Sequence, residues 1–262
     1  MNFLKITLLV SFVALFDLCS NAKNGHNNKI DLDIVYIGNS ITYGAVLDNP
    51  AQDAPPVVAS EYLRKKTGIN SVTFSNQGRS GYTTVDYLPS ASTFKEVVLA
   101  TKKIHTNPAH ILLFSIKLGT NDSAIEGPTG APVSKGNYRK NLTAIIDELF
   151  LQFPDAKVIL QQPIWYSSNT YNGSKYLSEG LSRLQSYFPE LKSLVKSYSL
   201  NQKDKVFLGD QKGFNYFRQN YLTDLFPEEG QQGTFYLHPN VKGANQLGKF
   251  WADAIYDVVE NH

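Results

Sequence analysis

Short apolar runs that alternate with helical stretches are the feature that most restricts how this chain can fold. Five runs have the length and composition of strands, and they lie at residues 33–37, 71–74, 110–118, 157–161 and 206–208. Helical patterns lie between and after them, at residues 57–66, 85–103, 138–153, 175–198 and 241–259. This alternation is typical of a parallel sheet covered by helices on both faces. The sequence therefore predicts an α/β fold with a central, mainly parallel five-stranded sheet.

The first residues are expected to lie outside that fold. A single lysine is followed by an apolar run at residues 6–16, and Ser20 and Ala22 are small residues at the two positions that a signal peptidase inspects. The run is too short for a comfortable transmembrane helix. We therefore predict a signal peptide at residues 1–22, a polar tether at residues 23–32 and a single domain at residues 33–262, in a protein exported to the periplasm or beyond the cell.

The only cysteine, Cys19, lies inside the predicted signal peptide. Cleavage after Ala22 would leave a mature chain without a thiol or a disulfide. The alternative is that Cys19 carries a lipid anchor, although the three residues before it match the small-residue pattern of such sites poorly.

Charge and residue spacing argue against nucleic acid, an anionic membrane surface and a metal ion as partners. The net charge is only +2 and no block of lysine and arginine stands out, so nothing in the sequence indicates nucleic acid or an anionic membrane surface. No cluster of histidine and carboxylate residues has the spacing of metal ligands. We therefore predict neither a metal nor another cofactor.

Polar segments follow the predicted strands, at the edge where ligands bind in parallel sheets. The segments are Gly38-Asn39-Ser40, residues 76–81, Gly119-Thr120-Asn121-Asp122 and, ahead of the last helix, His238-Pro239. Each has an ordinary explanation taken alone, because a glycine-rich turn is usually only a turn and a single histidine is more often structural than catalytic. A hydroxyl, a glycine turn, an amide and an imidazole at one edge nevertheless form a combination that can perform chemistry.

Together and in this order, the segments resemble the SGNH/GDSL hydrolase superfamily, named for the Ser, Gly, Asn and His of its motifs. The resemblance implies a flavodoxin-like three-layer α/β/α sandwich and a serine esterase. It also implies that Ser40 is the nucleophile and His238 its base, because a neutral serine needs a base within hydrogen-bond reach. The implied oxyanion hole consists of the backbone N–H groups of Ser40 and Gly81 and the side-chain amide of Asn121. An amide suits position 121, since a carboxylate would repel the oxyanion.

Two positions depart from the family pattern. Asn39 stands where the family has aspartate, and we expect the change to be tolerated because asparagine can accept the same backbone hydrogen bonds. Phe235 stands three residues before His238, where the family has the acid that orients the histidine. A carboxylate from elsewhere could replace it, the nearest in sequence being Asp210, Asp224, Glu228 and Glu229. The other possibility is a main-chain carbonyl near Phe235, and we favour this Ser–His dyad.

The substrate is less restricted by sequence than the reaction. The predicted export, the lack of a long apolar segment after residue 22, and an aromatic and polar loop after the fourth strand favour a carbohydrate. In that loop Trp165 and Tyr166 are possible sugar-binding residues. We predict hydrolysis of O-acetyl esters on a small-molecule or polysaccharide carbohydrate, through an acyl-enzyme. The alternatives are a lipase- or thioesterase-like acyl hydrolase, and a sugar-binding protein without catalysis.

Overall fold

A five-stranded sheet forms the centre of the protein, whose computed structural model describes residues 29–261. The strands are β1 (Ile30–Gly38), β2 (Ile69–Gly78), β3 (Ile111–Lys117), β4 (Lys157–Leu160) and β5 (Val206–Leu208). Their spatial order is β2-β1-β3-β4-β5, and every neighbouring pair is parallel. This is the flavodoxin-like order, in which the direction of chain progression reverses between β1 and β3. The predicted fold class is confirmed.

Helices cover both faces of the sheet. They are α1 (Ser40–Tyr43), α2 (Pro50–Asp53), α3 (Pro55–Leu63), α4 (Ser92–Ile104), α5 (Lys135–Gln152), α6 (Leu177–Ser186), α7 (Phe188–Asn201), α8 (Gly213–Asp224) and α9 (Val241–Asn261). A short 3₁₀ helix, Val85–Tyr87, precedes α4. An antiparallel hairpin of β6 (Leu225–Gly230) and β7 (Gly233–Pro239) lies between α8 and α9 in the chain, apart from the main sheet.

Alternation along β1 divides the interior into two hydrophobic cores. Val35 and Ile37 point into the first core, which α4, α5 and α7 cover. Ile34 and Tyr36 point into the second, which α3 and α9 cover. The Trp251 ring of α9 stacks on Tyr36 with ring centroids 6.1 Å apart. Because successive residues of a strand face opposite sides, one apolar strand supplies both layers.

Of the N-terminal segments predicted from the sequence, the structure describes only the last residues of the tether, from residue 29 onward. The predicted signal peptide with Cys19, and residues 23–28 of the predicted tether, lie outside the described residues. Ile30 already begins β1, so the last part of the predicted tether belongs to the sheet. Among residues 29–261, no helix is long and apolar enough to cross a membrane.

Two helical predictions were too long, and several elements were missed, among them the short helix α2. Residues 175–198 form not one helix but α6 and α7, and Pro189 lies in the first turn of α7. Proline has no N–H to donate and is best accommodated there. Residues 85–103 form a 3₁₀ helix followed by α4, and Pro89 lies between these two helices. Helix α8 and the β6–β7 hairpin were not predicted, and the hairpin is the element that matters for the site.

Candidate active site

The end of β1 is shaped to present Ser40. At Gly38 a Cβ atom would collide with the Thr42 side chain and the Lys117 carbonyl, so only glycine fits. The Asn39 side chain then caps α1, accepting a backbone N–H of the first turn at 3.1 Å. Aspartate could make the same bond. Ser40 is therefore the first residue of α1, where backbone N–H groups have no partner within the helix.

Ser40 is in contact with a histidine almost 200 residues away in sequence. The His238 Nε2 atom lies 2.9 Å from Ser40 Oγ, and both residues are buried. The other ring nitrogen, Nδ1, lies 2.8 Å from Glu228 Oε1. A carboxylate only accepts hydrogen bonds, so Nδ1 carries the proton and Nε2 is left to accept the Ser40 hydroxyl. The three side chains have the arrangement of a Ser–His–acid triad.

The β6–β7 hairpin delivers both the base and the acid. Glu228 on β6 is the register partner of Phe235 on β7. In a regular strand Phe235 and His238 would point to opposite faces, since they are three residues apart. The register shifts between Leu225 and Pro227, so that β7 has one residue more than β6 in this stretch. Such a bulge changes the face of the hairpin to which the affected side chains point. Here it places His238 on the same face as Glu228.

The favoured Ser–His dyad with a main-chain carbonyl is therefore wrong. Phe235 occupies the family's acid position in sequence, but its ring is buried in the first core. Glu228 reaches His238 from the facing strand instead. The three other candidate acids are engaged elsewhere: Asp210 accepts backbone N–H groups at the start of α8, Asp224 pairs with a lysine of α9, and Glu229 accepts a threonine hydroxyl of β7.

The predicted oxyanion donors line the same cavity as Ser40. Gly81 has φ of 82°, in the left-handed region that favours glycine, although a side chain there would meet no atom within 4 Å. The Asn121 amide is held at both ends: Nδ2 donates to the Tyr82 carbonyl at 2.8 Å, and Oδ1 accepts from the Tyr176 hydroxyl at 2.8 Å. An amide nitrogen has two protons, so one remains for a ligand.

A pocket of about 230 Å³ joins these groups. Its lining residues are Ser40, Ala45, Ser80, Gly81, Asn121, Asn172, Ser174, Tyr176, Leu237 and His238. All four residues predicted for catalysis and the oxyanion hole thus lie on one cavity. A larger groove of about 710 Å³ lies between β5 and α9 and contains none of them. Within residues 29–261, no group of three or more histidine, cysteine or carboxylate residues could hold a metal ion.

The predicted sugar-binding residues do not line this pocket. Tyr166 is fully buried and its hydroxyl lies 2.9 Å from Ser123 Oγ, so its predicted contact with substrate is wrong. The Trp165 ring packs against Tyr221, with centroids 5.3 Å apart. The loop that contains them does reach the pocket, but further along the chain, where it contributes Tyr176 and its neighbours. The alternation of aromatic and polar residues does not reveal which of them faces the cleft.

A buried carboxyl braces the loop next to the predicted oxyanion donors. Asp122 is fully buried, and its Oδ1 accepts the Thr84 N–H at 2.9 Å and the Thr84 hydroxyl at 2.5 Å. Burial raises the pKa of the Asp122 carboxyl to about 6, against the opposing effect of these hydrogen bonds. The carboxyl therefore changes charge in the folded protein over a range in which an exposed aspartate is already ionised.

Comparison with known proteins assigns the chain to a family. The sequence profile of the GDSL-like lipase/acylhydrolase family matches residues 36–245, and the chain belongs to that family. Comparison with curated protein sequences found no match.

Solved structures of low sequence identity share the fold. A lipase/acylhydrolase from Enterococcus faecalis is 20% identical, with a TM-score of 0.57 over 86% of this chain and 95% of that one. A carbohydrate acetylesterase from Sinorhizobium meliloti is 14% identical, with a TM-score of 0.57 over 86% and 99%. A family 3 carbohydrate esterase from Clostridium thermocellum is 15% identical, with a TM-score of 0.56 over 88% and 98%.

Replacing Glu228 tests whether this residue is the acid that supports His238. In Glu228→Gln the side chain keeps its shape but loses the charge that would stabilise the His238 imidazolium. We expect kcat for 4-nitrophenyl acetate to fall by up to about 10⁴-fold with little change in KM, the scale seen when a triad acid is neutralised. Glu229→Gln, on the adjacent residue, should retain wild-type kcat. A kcat within tenfold of wild type for Glu228→Gln would instead support the carbonyl dyad.

Removing one hydroxyl tests how the Asn121 amide is held. Tyr176→Phe leaves Oδ1 without its donor, and we expect kcat to fall by about tenfold, less than the 10²–10³ loss of a whole oxyanion donor. The matched control is Tyr166→Phe, which removes an equally buried hydroxyl bonded elsewhere. In an Asn121→Ala background, Tyr176→Phe should have no further effect on kcat. A further loss there would show that Tyr176 acts by another route.

The raised pKa of Asp122 predicts a pH-dependent stability difference. The Asp122 carboxyl has a higher pKa in the folded state than its unfolded value of 3.8, so the folded state binds the proton more tightly. Protonation therefore stabilises the fold, and the wild type loses stability as pH rises from about 4 to about 6. Asp122→Asn cannot ionise. Its unfolding free energy relative to wild type should therefore rise by about 2 kcal/mol between pH 4 and pH 7, measured by urea titration. A difference that is the same at both pH values would contradict the raised pKa.

Proposed function

We propose that this GDSL-family protein is a serine esterase that removes O-acetyl groups from carbohydrates through an acyl-enzyme. The observation that carries the proposal is the continuous contact from Glu228 through His238 to Ser40, at the wall of a small pocket of mixed polarity. Family membership supports acyl-ester hydrolysis in general. That the acyl group is acetyl and that the alcohol is a carbohydrate are the parts of the proposal that go beyond family membership.

In the proposed first half-reaction, Ser40 Oγ attacks the ester carbonyl carbon while His238 Nε2 takes its proton. The carbonyl oxygen becomes an oxyanion among the N–H groups of Ser40 and Gly81 and the amide of Asn121. Collapse breaks the bond to the alcohol oxygen, which receives the proton from His238. The alcohol leaves, and the acyl group remains esterified to Ser40.

The second half-reaction repeats these steps with water. His238 Nε2 takes a proton from a water molecule whose oxygen attacks the acyl carbon, and the same donors hold the oxyanion. The bond to Ser40 Oγ then breaks, and the proton returns from His238 to the serine. Glu228 stays ionised throughout and stabilises the imidazolium each time it forms.

The size and lining of the pocket favour a short acyl group. A volume of about 230 Å³ is below the range of roughly 300–1,000 Å³ typical of pockets that enclose drug-sized ligands. Six of the lining side chains are serine, asparagine or histidine, while Ala45, Tyr176 and Leu237 add apolar surface, so the wall is of mixed polarity. An acetyl group needs little apolar surface, whereas a long acyl chain needs a continuous apolar wall.

The polar side of the pocket also supports a carbohydrate alcohol. Asn172 and Ser174 come from the loop before α6 and can donate to or accept from sugar hydroxyls. Two of the structures that share the fold are described as carbohydrate esterases, which makes such a substrate compatible with this architecture. The N-terminal sequence predicts export, and that would place the protein where polysaccharides occur.

The alternatives make different demands on the same site. A lipase- or thioesterase-like hydrolase would need room for a long acyl chain, and the small volume of the pocket weighs against that. A sugar-binding protein without catalysis would not need a histidine placed between a serine and a carboxylate. The non-catalytic alternative rested on the missing aspartate before His238, and Glu228 supplies a carboxylate in its place.

Acetate release tests the proposal. We expect acetate from at least one of acetylated xylan, acetylated pectin and O-acetylated sialic acid, and none with Ser40→Ala, which loses only the attacking oxygen. We also expect higher kcat/KM for 4-nitrophenyl acetate than for 4-nitrophenyl octanoate. Preference for the octanoyl ester would support the lipase-like alternative. Sugar binding without turnover of either ester would support the non-catalytic one.

A further inference from the structure

A second groove, of about 460 Å³, lies beside the catalytic pocket. Tyr43, the last residue of α1, lines it, while Ser40, the first residue of the same helix, lines the pocket. Three residues of an α-helix rise only about 4.5 Å. Arg79 lines the groove and the next residue, Ser80, lines the pocket. The two cavities are therefore neighbours, separated by α1 and by the turn that follows β2.

The groove combines aromatic and polar surface. The Tyr43 side chain is an exposed aromatic, with 47% of its surface accessible, and Phe74 from β2 lies in the same wall. Asn49 and Arg79 supply polar groups at its edge. A sugar ring has an apolar C–H face and hydroxyls around its rim, and an aromatic face flanked by hydrogen-bonding groups complements both.

Arg79 has donors to offer to a ligand. Its backbone N–H donates to the Gly38 carbonyl at 2.9 Å, so the residue is anchored next to the nucleophile strand. The guanidinium lies 3.3 Å from a Glu96 oxygen and 3.4 Å from the Gly78 carbonyl, two long contacts at a side chain that is 39% exposed. A guanidinium has five N–H donors, so these contacts leave others that can bind pairs of ligand oxygens.

The wall of the groove is preformed. Asn76 donates to the Thr42 carbonyl at 2.9 Å and accepts the Gly78 N–H at 2.9 Å, which ties β2 to α1. At Gly78 a Cβ atom would collide with the backbone of Tyr43, so the strand and the helix approach as closely as glycine permits. The Tyr43 backbone is thus held in place before any ligand arrives, and less ordering is needed on binding.

We propose that this groove is the subsite for the sugar unit next to the one that carries the acetyl ester. The ring of that sugar lies against Tyr43, and its oxygen atoms accept from Arg79. This inference rests on the proposed function and extends it: the substrate is an acetylated oligosaccharide or polysaccharide rather than an acetylated monosaccharide. A single-sugar ester, like 4-nitrophenyl acetate, would occupy the catalytic pocket alone.

Tyr43 variants separate the subsite from the chemistry. The acetylated glycan that releases most acetate from the wild type is tested in parallel with a matching O-acetylated monosaccharide and with 4-nitrophenyl acetate. Tyr43→Ala should lower kcat/KM for the glycan by about three- to tenfold, mainly through KM, which is the scale of an aromatic contact. It should leave the two small esters unchanged. Tyr43→Phe keeps the ring and should retain glycan activity, while Leu151→Ala, an exposed apolar truncation on α5, should change nothing.

Each other outcome has a definite meaning. Equal kcat/KM of wild type and Tyr43→Ala on the glycan would overturn the subsite and leave the acetylesterase proposal standing. An equal loss on all three esters would also overturn it, because the residue would then support the fold or the chemistry. If the wild type released acetate from the acetylated monosaccharide but from no glycan, the subsite would fail and the acetylesterase proposal would stand. If it released acetate from neither while hydrolysing 4-nitrophenyl acetate, the proposed function itself would fail, and the subsite with it.

Discussion

The hydrogen bond between His238 and Glu228 is the interaction on which the rest of the site depends. It determines the tautomer of the imidazole, and only the tautomer protonated at Nδ1 leaves Nε2 free to accept the Ser40 proton. The bond spans a two-stranded hairpin outside the main sheet, where a one-residue register shift turns His238 toward the acid. Glu228 thus takes the place of the aspartate that the family has three residues before the histidine, and a small irregularity in strand pairing brings it into contact with His238.

The sheet brings the remaining groups to that bond. Ser40 follows β1 and Asn121 follows β3, the two strands between which the topology reverses and where such sheets bind ligands. The two residues differ in how they are held. Backbone geometry presents Ser40, through a glycine strand end and a helix cap, whereas side-chain hydrogen bonds hold the Asn121 amide, one of them from the Tyr176 hydroxyl. The predicted oxyanion hole therefore depends on a loop far from β3 in sequence.

Sequence patterns predicted the strands, and they selected four residues that the structure brings together on one pocket, because those signals are local. Apolar runs mark buried strands, and Ser40 and Asn121 lie directly after such runs. Glu228 was only one of several candidates, since choosing it requires the register of a hairpin. The glycines that flank the two-residue turn at residues 231–232 are a hairpin signal that could have indicated it. The expected role of Tyr166 failed because composition does not distinguish a ring that faces a cleft from one that packs beneath it.

The central claim is that Glu228, His238 and Ser40 act together as a catalytic triad, with an oxyanion hole of three donors. The most direct test is a crystal structure of the protein after reaction with a serine-directed phosphonate that mimics an acetyl ester. The account predicts phosphorus bonded to Ser40 Oγ, a phosphoryl oxygen within hydrogen-bond distance of the Ser40 and Gly81 N–H groups and the Asn121 amide, and Glu228 still bonded to His238. An adduct on another serine, or a main-chain carbonyl in place of Glu228 at Nδ1, would contradict it.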